Sequence, residues 1–395
     1  MKKRDLLKTG LLALGVTALS GCNSKDFVAD TTENIEPKQT SVYKISTVLP
    51  YDFNIIDQIA DFNKKFKKSQ IVTLYNNIPL PFSLKLNGWI QIDRGRNSHI
   101  QSFEDFGKYA KYAMSKGFNI RYLFNSPKPY NDKDLATFKS YALDLLDYLK
   151  SIGINEIKIG NVQTAALINE NRPGFDLTAS TAMEFHTISQ YRNLMDSFPN
   201  IRLIDVSVDE NHNFPFLRNL KKMLPNVDIE LVLNDICNKG CPGKISHHGS
   251  TEFCVFNCWK IKDSDPAKYC FKTGVVYPWF FEYYSAIGVN NFKLMPTKDP
   301  MTRGNYVNLT PMENYLTCVE NGIDAYKVKD FFEDLLYYDG KVPDDYKMSQ
   351  IVPYLPNVHH FIKHGDKCAS RCGSDCKYCD NLAKKFETFI KTLNS

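Results

Sequence analysis

The chain has 395 residues and a formal net charge of +5, from 49 basic residues against 44 acidic ones. Much of this excess lies in the first ten residues, and the nearly balanced remainder argues against nucleic acid as the partner. A chain of this length can build a large hydrophobic core of its own, so it does not depend on disulfide bonds for stability.

The first 21 residues have the pattern of a signal peptide, a basic segment followed by an apolar stretch too short to span a bilayer. Residues 19–22 resemble a bacterial lipobox, in which the cysteine, here Cys22, receives lipid. The basic segment also resembles a twin-arginine signal with Lys3 in place of the first arginine, and that route exports proteins already folded around a cofactor. We therefore predict an exported protein anchored to the cell membrane through Cys22, facing the periplasm or another extracytoplasmic space; a plain secretory peptide is the alternative.

Residues 22–40 are polar and poor in large apolar side chains, which predicts a flexible tether between the lipid and the folded part. No later apolar run is long enough for a transmembrane helix. The sequence therefore predicts attachment to the membrane by the lipid anchor alone.

From residue 41 to residue 325, short β-branched runs alternate with longer amphipathic runs. The predicted strands are 43–49, 71–77, 119–125, 156–161, 176–181, 202–208, 228–234 and 291–296. The predicted helices are 103–117, 133–153, 181–197, 213–224 and 278–288. Eight strand–helix units of this kind favour a closed (β/α)8 barrel, or TIM barrel, over an open doubly wound sheet, because no glycine-rich phosphate turn follows the first strand. An additional hairpin is expected at 77–97.

Several predicted strands end in a small or amide residue. Because the C-terminal strand ends of such a barrel surround its active site, these residues are candidates for substrate binding; they are Asn125, Asn161, Ser180, Ser207 and Asn234. The alternative for each is that asparagine and serine simply start the following turn.

Ten of the eleven cysteines lie beyond residue 236, and the first group falls in a long insertion after the seventh strand, at 235–276. Cysteine pairs separated by three residues can bring four thiolates to one metal ion or iron–sulfur cluster. The candidates are four of the five residues Cys237, Cys241, Cys254, Cys258 and Cys270. Disulfides are the alternative, because an exported protein meets an oxidising environment.

A second group lies in the predicted helical C-terminal extension, at 326–395, and comprises Cys368, Cys372, Cys376 and Cys379. Its last three members have the spacing of radical-SAM enzymes, but those enzymes carry the motif after the first barrel strand, so we reject that assignment. Four thiolates suffice for a second iron–sulfur cluster or a structural zinc ion. A third possibility is that the extension and the insertion share ligands.

The candidate catalytic residues are His247, Glu230 and Asp235. His247 follows the first cysteine pair and is able to transfer a proton near neutral pH. Glu230 and Asp235 flank the exit of the seventh strand, where either carboxylate would order the site; the alternative is a role in an N-terminal turn. No serine–histidine–aspartate pattern, nucleophile elbow or P-loop is present in the sequence.

Residues 228–248 resemble the signature region of peptidase family U32, the collagenase-like peptidases. The matching residues are Asn234, Asp235, Cys237, Cys241, Pro242, Lys244 and His247. Residues 277–300 are similar to the family's proline-led helix and the strand after it, with Lys298 where an arginine is common.

This resemblance implies a TIM-barrel-like fold with a [4Fe–4S] cluster held by cysteines at the barrel mouth. Some members resemble oxygen-independent hydroxylation systems, which implies redox or hydroxylation chemistry with electrons from a donor. With the predicted lipid anchor, the first hypothesis is a membrane-anchored enzyme of this kind. Others are regarded as proteases, which leaves a peptidase or hydrolase as the second hypothesis. A non-catalytic lipoprotein with structural zinc or disulfides is the third. An exported protein does not meet RNA, so RNA substrates do not carry over.

Overall fold

The computed structural model describes residues 35–78, 100, 102–127, 132–235, 237–241, 244, 265–294, 309–335, 346–370 and 376–393. The signal peptide, Cys22, most of the tether and almost all of the expected hairpin lie outside these residues. So do His247, Cys254, Cys258 and Cys372, and what the sequence predicts for them stays a prediction. Within the described residues, no helix is both long and apolar enough to cross a membrane.

Eight parallel strands form a closed barrel in which each strand pairs with its neighbours in sequence and the last pairs with the first. The strands are β1 (Tyr43–Val48), β2 (Ser69–Asn76), β3 (Asn119–Phe124), β4 (Glu156–Ile159), β5 (Asp176–Ala179), β6 (Ile201–Asp205), β7 (Asp228–Val232) and β8 (Asn291–Lys293). The predicted (β/α)8 barrel is confirmed, although the predicted strands continue one to three residues too far at their C-terminal ends.

Helices follow the strands, and further helices lie in the insertion and in the C-terminal extension. They are α1 (Phe53–Lys65), α2 (Phe103–Ser115), α3 (Asp132–Ser151), α4 (Val162–Asn171), α5 (Ile188–Ser197), α6 (Phe214–Met223), α7 (Pro266–Phe271), α8 (Phe281–Ala286), α9 (Thr310–Asn321), α10 (Val328–Leu335), α11 (Met348–Ile351), α12 (Val358–Ser370) and α13 (Tyr378–Leu393). Their starts follow from local chemistry: the side chains of Asp52 and Ser102 accept hydrogen bonds from backbone N–H groups in the first turns of α1 and α2.

The single helix predicted over 181–197 is wrong. A 3-10 turn occupies Thr181–Met183, and Glu184 then adopts a left-handed backbone conformation with φ 48°. Helix α5 begins only after Thr187, which forms a capping box with Gln190. The amphipathic pattern is continuous through this segment, but the left-handed residue interrupts the helix and turns the chain across the C-terminal end of the barrel.

The side chains of the strands separate into an apolar outer layer and a polar inner layer. Ile45, Ile157 and Phe292 are fully buried among the surrounding helices. Their neighbours in the strands point to the other face because side chains alternate along a strand. Such barrels usually fill their interior with branched aliphatic residues, whereas this interior holds charged groups.

The described part of the C-terminal extension packs against the barrel and shares its hydrophobic core. Phe361 of α12 stacks on His212 with ring centroids 4.1 Å apart, and Phe386 of α13 packs against Phe271 of α7. Asp380 pairs with Lys272 at 2.8 Å. The described part of the extension is helical, as predicted, while the domain boundary proposed at residue 325 stays a prediction.

Candidate active site at the mouth of the barrel

A polar cluster lies at the C-terminal ends of β5 and β6, where barrel enzymes carry their active sites. One ligand atom from each of Glu184, His186 and Asp209 lies within 4.8 Å of the other two. Glu184 and Asp209 are buried, while the His186 side chain is 43% exposed. We call these three residues the mouth triad.

Neighbouring side chains hold the triad in place. The Ser207 hydroxyl donates to Glu184 Oε2 at 2.9 Å. His186 Nδ1 lies 3.1 Å from Glu210 Oε1, and Nε2 of the same ring lies 3.6 Å from Glu184 Oε2. Asn213 donates to the other oxygen of Glu210 at 2.7 Å. The imidazole is therefore oriented by one carboxylate while its second nitrogen is directed at another.

Several carboxylates lie close together at the triad, and they change the pKa values of the groups around them. Burial raises the pKa of Glu184, against the opposing effect of the Lys244 ammonium. The hydrogen bond to Glu210 raises the pKa of His186. Burial alone would lower the pKa of Lys244, but the charges of Asp209, with which it is ion-paired, and of Glu184 raise it.

Glu184 also carries a conformational cost. Among the residues that the structure describes, it is the one non-glycine residue with a positive φ. A left-handed conformation costs a side-chain-bearing residue about 1–2 kcal/mol, and such outliers concentrate at functional sites. The conformation delivers the Glu184 carboxylate to Ser207 and His186.

A second group of charged side chains fills the barrel below the mouth. Arg121 Nη1 donates to both oxygens of Glu230, at 3.2 and 3.1 Å. Lys158 donates to Glu230 at 3.3 Å and is also ion-paired with Asp205. Lys293 Nζ lies 4.3 Å from the centre of the Tyr75 ring. We call Arg121, Lys158, Asp205, Glu230 and Lys293 the interior network.

Burial and neighbouring charges change the ionisation of this network. Burial raises the pKa of Asp205 to about 6, against the opposing charge of Lys158. Burial would also raise the pKa of Glu230, but Arg121 and Lys158 outweigh it and lower that pKa instead. The predicted catalytic residue Glu230 is therefore an ionised group held between two cations inside the barrel.

The candidate substrate-binding residues at the strand ends mostly have local contacts. Asn161, Ser180 and Ser207 accept hydrogen bonds from backbone N–H groups of the turns that follow them, as the turn alternative for each predicts. Asn125 is half-buried and Asn234 is buried. Ser207 also reaches the mouth triad, through its hydrogen bond to Glu184.

The described cysteines fall into two regions. Cys237 and Cys241 are half-buried free thiols near the mouth. The Asp235 carboxylate accepts from the Cys237 backbone N–H at 2.7 Å. Burial, followed by the charge of Asp235, raises the pKa of the Cys237 thiol, and the Lys244 ammonium opposes this. The insertion thus brings a cysteine pair and Lys244 into one neighbourhood.

The second region joins the insertion to the extension. Cys270 is buried in α7. Burial raises the pKa of the Tyr277 hydroxyl, and the charges of Cys379 and Cys270 raise it further. Cys368 is buried and Cys376 is half-buried. Burial raises the pKa of the Tyr378 hydroxyl, and the charges of Cys379, Cys368 and Cys376 raise it further. Cys270 and Cys379 therefore both lie near the Tyr277 hydroxyl. No disulfide joins the cysteines within the described ranges.

Sequence reasoning missed the mouth triad and most of the interior network. The triad carries no recognisable spacing, because its residues come from two different loops. The interior network does leave a signal: five strands carry one charged residue between apolar neighbours, as in IRY, IKI, IDV, IEL and FKL. In a strand covered by helices, such a charge points into the barrel.

No protein-family model matches this sequence, and no curated protein matches it. Similar solved structures include the U32 peptidase Mk0906, at 9% identity and TM-score 0.41, covering 68% of this chain and 98% of that one. A GH113 β-1,4-mannanase complex gives 10% identity and TM-score 0.39, covering 77% and 100%. A D-psicose 3-epimerase gives 9% identity and TM-score 0.35, covering 75% and 96%. At these identities the likeness is one of fold, and it does not extend to activity.

Proposed function

We propose that this protein is a barrel enzyme that binds a divalent cation at Glu184, His186 and Asp209 and acts on a substrate oxygen at the mouth. The observation that carries the proposal is the convergence of two carboxylates and one imidazole within 4.8 Å. Oxygen and imidazole ligands suit divalent ions such as zinc, manganese or iron.

The charge of the site supports a cation. Glu184, Asp209, Glu210 and Asp235 bring four carboxylates to this part of the mouth, and Lys244 is the cation that acts on Glu184 and Asp209. Buried carboxylates are costly unless they are paired or coordinate a metal. A doubly charged ion would offset the remaining negative charge.

The surrounding residues have the arrangement expected around a metal ligand. Glu210 accepts from His186 Nδ1, which fixes the tautomer and leaves Nε2 directed at Glu184. Asn213 and Ser207 hold the two glutamates. When bound, the cation would polarise a carbonyl or hydroxyl oxygen of the substrate. Lys244 would supply a positive charge beside that oxygen, and hydrolysis is one reaction open to such a site.

The test is cation binding to protein stripped with a chelator. We expect about one zinc or manganese ion per chain, measured by calorimetry and by metal analysis after gel filtration. Glu184→Gln and Asp209→Asn should abolish binding. Glu210→Gln should weaken it by about 10- to 100-fold through loss of imidazole orientation.

The matched control is Asp228→Asn. Asp228 begins β7 at the opposite end of the barrel and is half-exposed, so its removal should leave binding unchanged. Circular dichroism would show that each variant is folded. Equal cation affinity in wild type, Glu184→Gln and Asp209→Asn would exclude the mouth triad as the binding site.

An iron–sulfur enzyme is the second candidate, with redox or hydroxylation chemistry on the exported side of the membrane. It is favoured by the half-buried cysteine pair Cys237 and Cys241, which lies near Lys244 and is not joined in a disulfide. These two thiols fit as half of a four-thiolate ligand set, and the other half would come from the insertion. A second iron–sulfur or zinc centre would use the cysteines of the extension.

Anaerobic purification followed by iron, sulfide and zinc analysis tests this candidate. A Cys237→Ala/Cys241→Ala variant should lose one whole centre while a centre in the extension persists. Unchanged metal content in the variant would exclude these two cysteines as ligands. Metabolic labelling with a radioactive fatty acid, compared between wild type and Cys22→Ser, tests the proposed lipid anchor and membrane location.

A further inference from the structure

Lys293 differs from the other basic residues of the interior network because no carboxylate among the described residues lies within ion-pair distance of its amine. Arg121 and Lys158 each pair with two carboxylates. Within the described ranges of the chain, Lys293 Nζ forms neither a hydrogen bond nor an ion pair and lies over the ring of Tyr75. Lys293 is also the last residue of β8 and is half-buried, so it stands at the C-terminal end of the barrel.

Lys293 shares the Tyr75 ring with a second cation. Lys158 Nζ lies 5.7 Å from the centre of that ring and pairs with both Asp205 and Glu230. A protonated Lys293 therefore places a second positive charge beside Lys158. Burial, followed by the charge of Lys158, lowers the pKa of Lys293 to about 8.

We propose that the Lys293 amine is a nucleophile that forms an imine with the carbonyl group of a substrate entering from the mouth. An uncharged lysine amine beside a second lysine is a known means of activating this nucleophile. The substrate is therefore a carbonyl compound, and imine formation at Lys293 does not require the cation at the mouth triad.

Imine formation uses only the substrate, Lys293 and Asp205. The nitrogen lone pair of Lys293 attacks the carbonyl carbon, a proton moves from nitrogen to oxygen, and a carbinolamine results. The carboxyl group of Asp205 then donates one proton, the carbon–oxygen bond breaks and water leaves. The products are a protonated imine on Lys293 and an ionised Asp205, so the total charge is unchanged. With a pKa of about 6, Asp205 is able to both donate and recover this proton near neutral pH.

The position of Asp205 connects this step to the mouth. Asp205 ends β6, and Ser207, two residues later, hydrogen-bonds Glu184 of the mouth triad. Two residues of extended chain span about 7 Å. A small substrate held at the mouth would therefore lie close to the interior network, and its protonated imine would favour an acid group on the substrate, as in a 2-oxo acid.

Formaldehyde with cyanoborohydride tests the proposal on wild-type protein, because this small carbonyl compound labels amines through the same imine. With a pKa of about 8 instead of 10.5, the neutral fraction of Lys293 at pH 7 is roughly three hundred times that of an ordinary lysine. A less basic amine is also a weaker nucleophile, as is the case for thiols, and this lowers the reactivity of the neutral Lys293 amine by about one order of magnitude. We expect peptide mass spectrometry to show Lys293 methylated about thirtyfold faster than Lys44, the half-exposed lysine of the adjacent strand.

A labelling rate at Lys293 equal to or below that at Lys44 would overturn the proposal without any variant. The rate at Lys293 should also rise through pH 8 and then level, since Lys158, Asp205, Glu230 and Arg121 are the charged groups that set its pKa. Pyruvate with borohydride provides a second arm: a reduced adduct on Lys293, absent in Lys293→Arg and retained in Lys44→Arg, supports a 2-oxo acid substrate. Chelation should leave labelling unchanged, which separates this result from failure of the cation site.

Discussion

Glu230→Gln is the sharpest test of the interior network, because it removes one charge and almost no volume. In the wild type, Glu230 accepts from Arg121 at 3.1 and 3.2 Å and from Lys158 at 3.3 Å, with its side chain 2% exposed. The substitution leaves two buried cations with one fewer anion. Removing one partner of a buried ion pair costs about 3–5 kcal/mol, because the remaining charge stays desolvated. Since glutamine still accepts hydrogen bonds, we expect a loss of about 3 kcal/mol in the free energy of unfolding.

Glu156→Gln is the matched control, since Glu156 pairs with the same Arg121 at 3.2 Å from a side chain that is 31% exposed. Partial solvation reduces the value of this pair to about 1 kcal/mol or less. Urea unfolding followed by circular dichroism compares the two variants. A double variant, Arg121→Met/Glu230→Gln, should be more stable than the sum of its single changes predicts, because it removes opposite charges together.

The pH dependence of the free energy of unfolding gives an independent test of the Glu230 ion pairs. Because its cationic partners hold the folded-state pKa of Glu230 below the usual 4.5, its contribution is complete above pH 4.5 and is lost as the pH falls further. The difference between wild type and Glu230→Gln should therefore shrink in acid. If Glu230→Gln costs no more than Glu156→Gln at pH 7, the interior network does not hold the buried charges in the way the structure indicates.

Three further changes test the packing around the site. Gly160→Ala places a methyl group 2.3 Å from a backbone carbonyl carbon and should cost about 3 kcal/mol by urea unfolding, whereas Gly174→Ala, with its nearest atom a lysine amine at 3.5 Å, should be nearly neutral. Burial lowers the pKa of His212 below its usual 6.5, so wild-type stability should fall below pH 6.5 by up to about 1.4 kcal/mol per pH unit, and His212→Gln should lose this slope. Phe386→Ala removes a fully buried ring between two other phenylalanines and should cost about 3–5 kcal/mol, with earlier proteolysis of α13; resistance equal to wild type would show that α13 does not depend on this contact.

The sequence predicts the barrel well because the alternation of short β-branched runs with amphipathic runs is visible in the hydrophobic pattern. All eight predicted strands are present, and their C-terminal ends are overextended where Asn161 and Ser180 leave the strand to cap the next turn. The mouth triad is harder to predict. Glu184 looks like part of an amphipathic helix, and its left-handed conformation depends on contacts with Ser207 and His186 that the local sequence does not encode.

The interior network shows what a strand pattern does reveal once the barrel is known. A single charge between two aliphatic residues looks like an ordinary surface position in a half-exposed strand, but both faces of a barrel strand are covered. Lys158 illustrates the consequence, since its apolar neighbours pack outward. Its amine is fully buried and pairs with Asp205 and Glu230 across the barrel. Such charges are retained at a cost in desolvation, because well-packed aliphatic residues of similar volume are often as stable or more so. Among the described residues the Lys293 amine has no ion-pair partner, so stability explains this member of the network least. A chemical role is the stronger explanation for it.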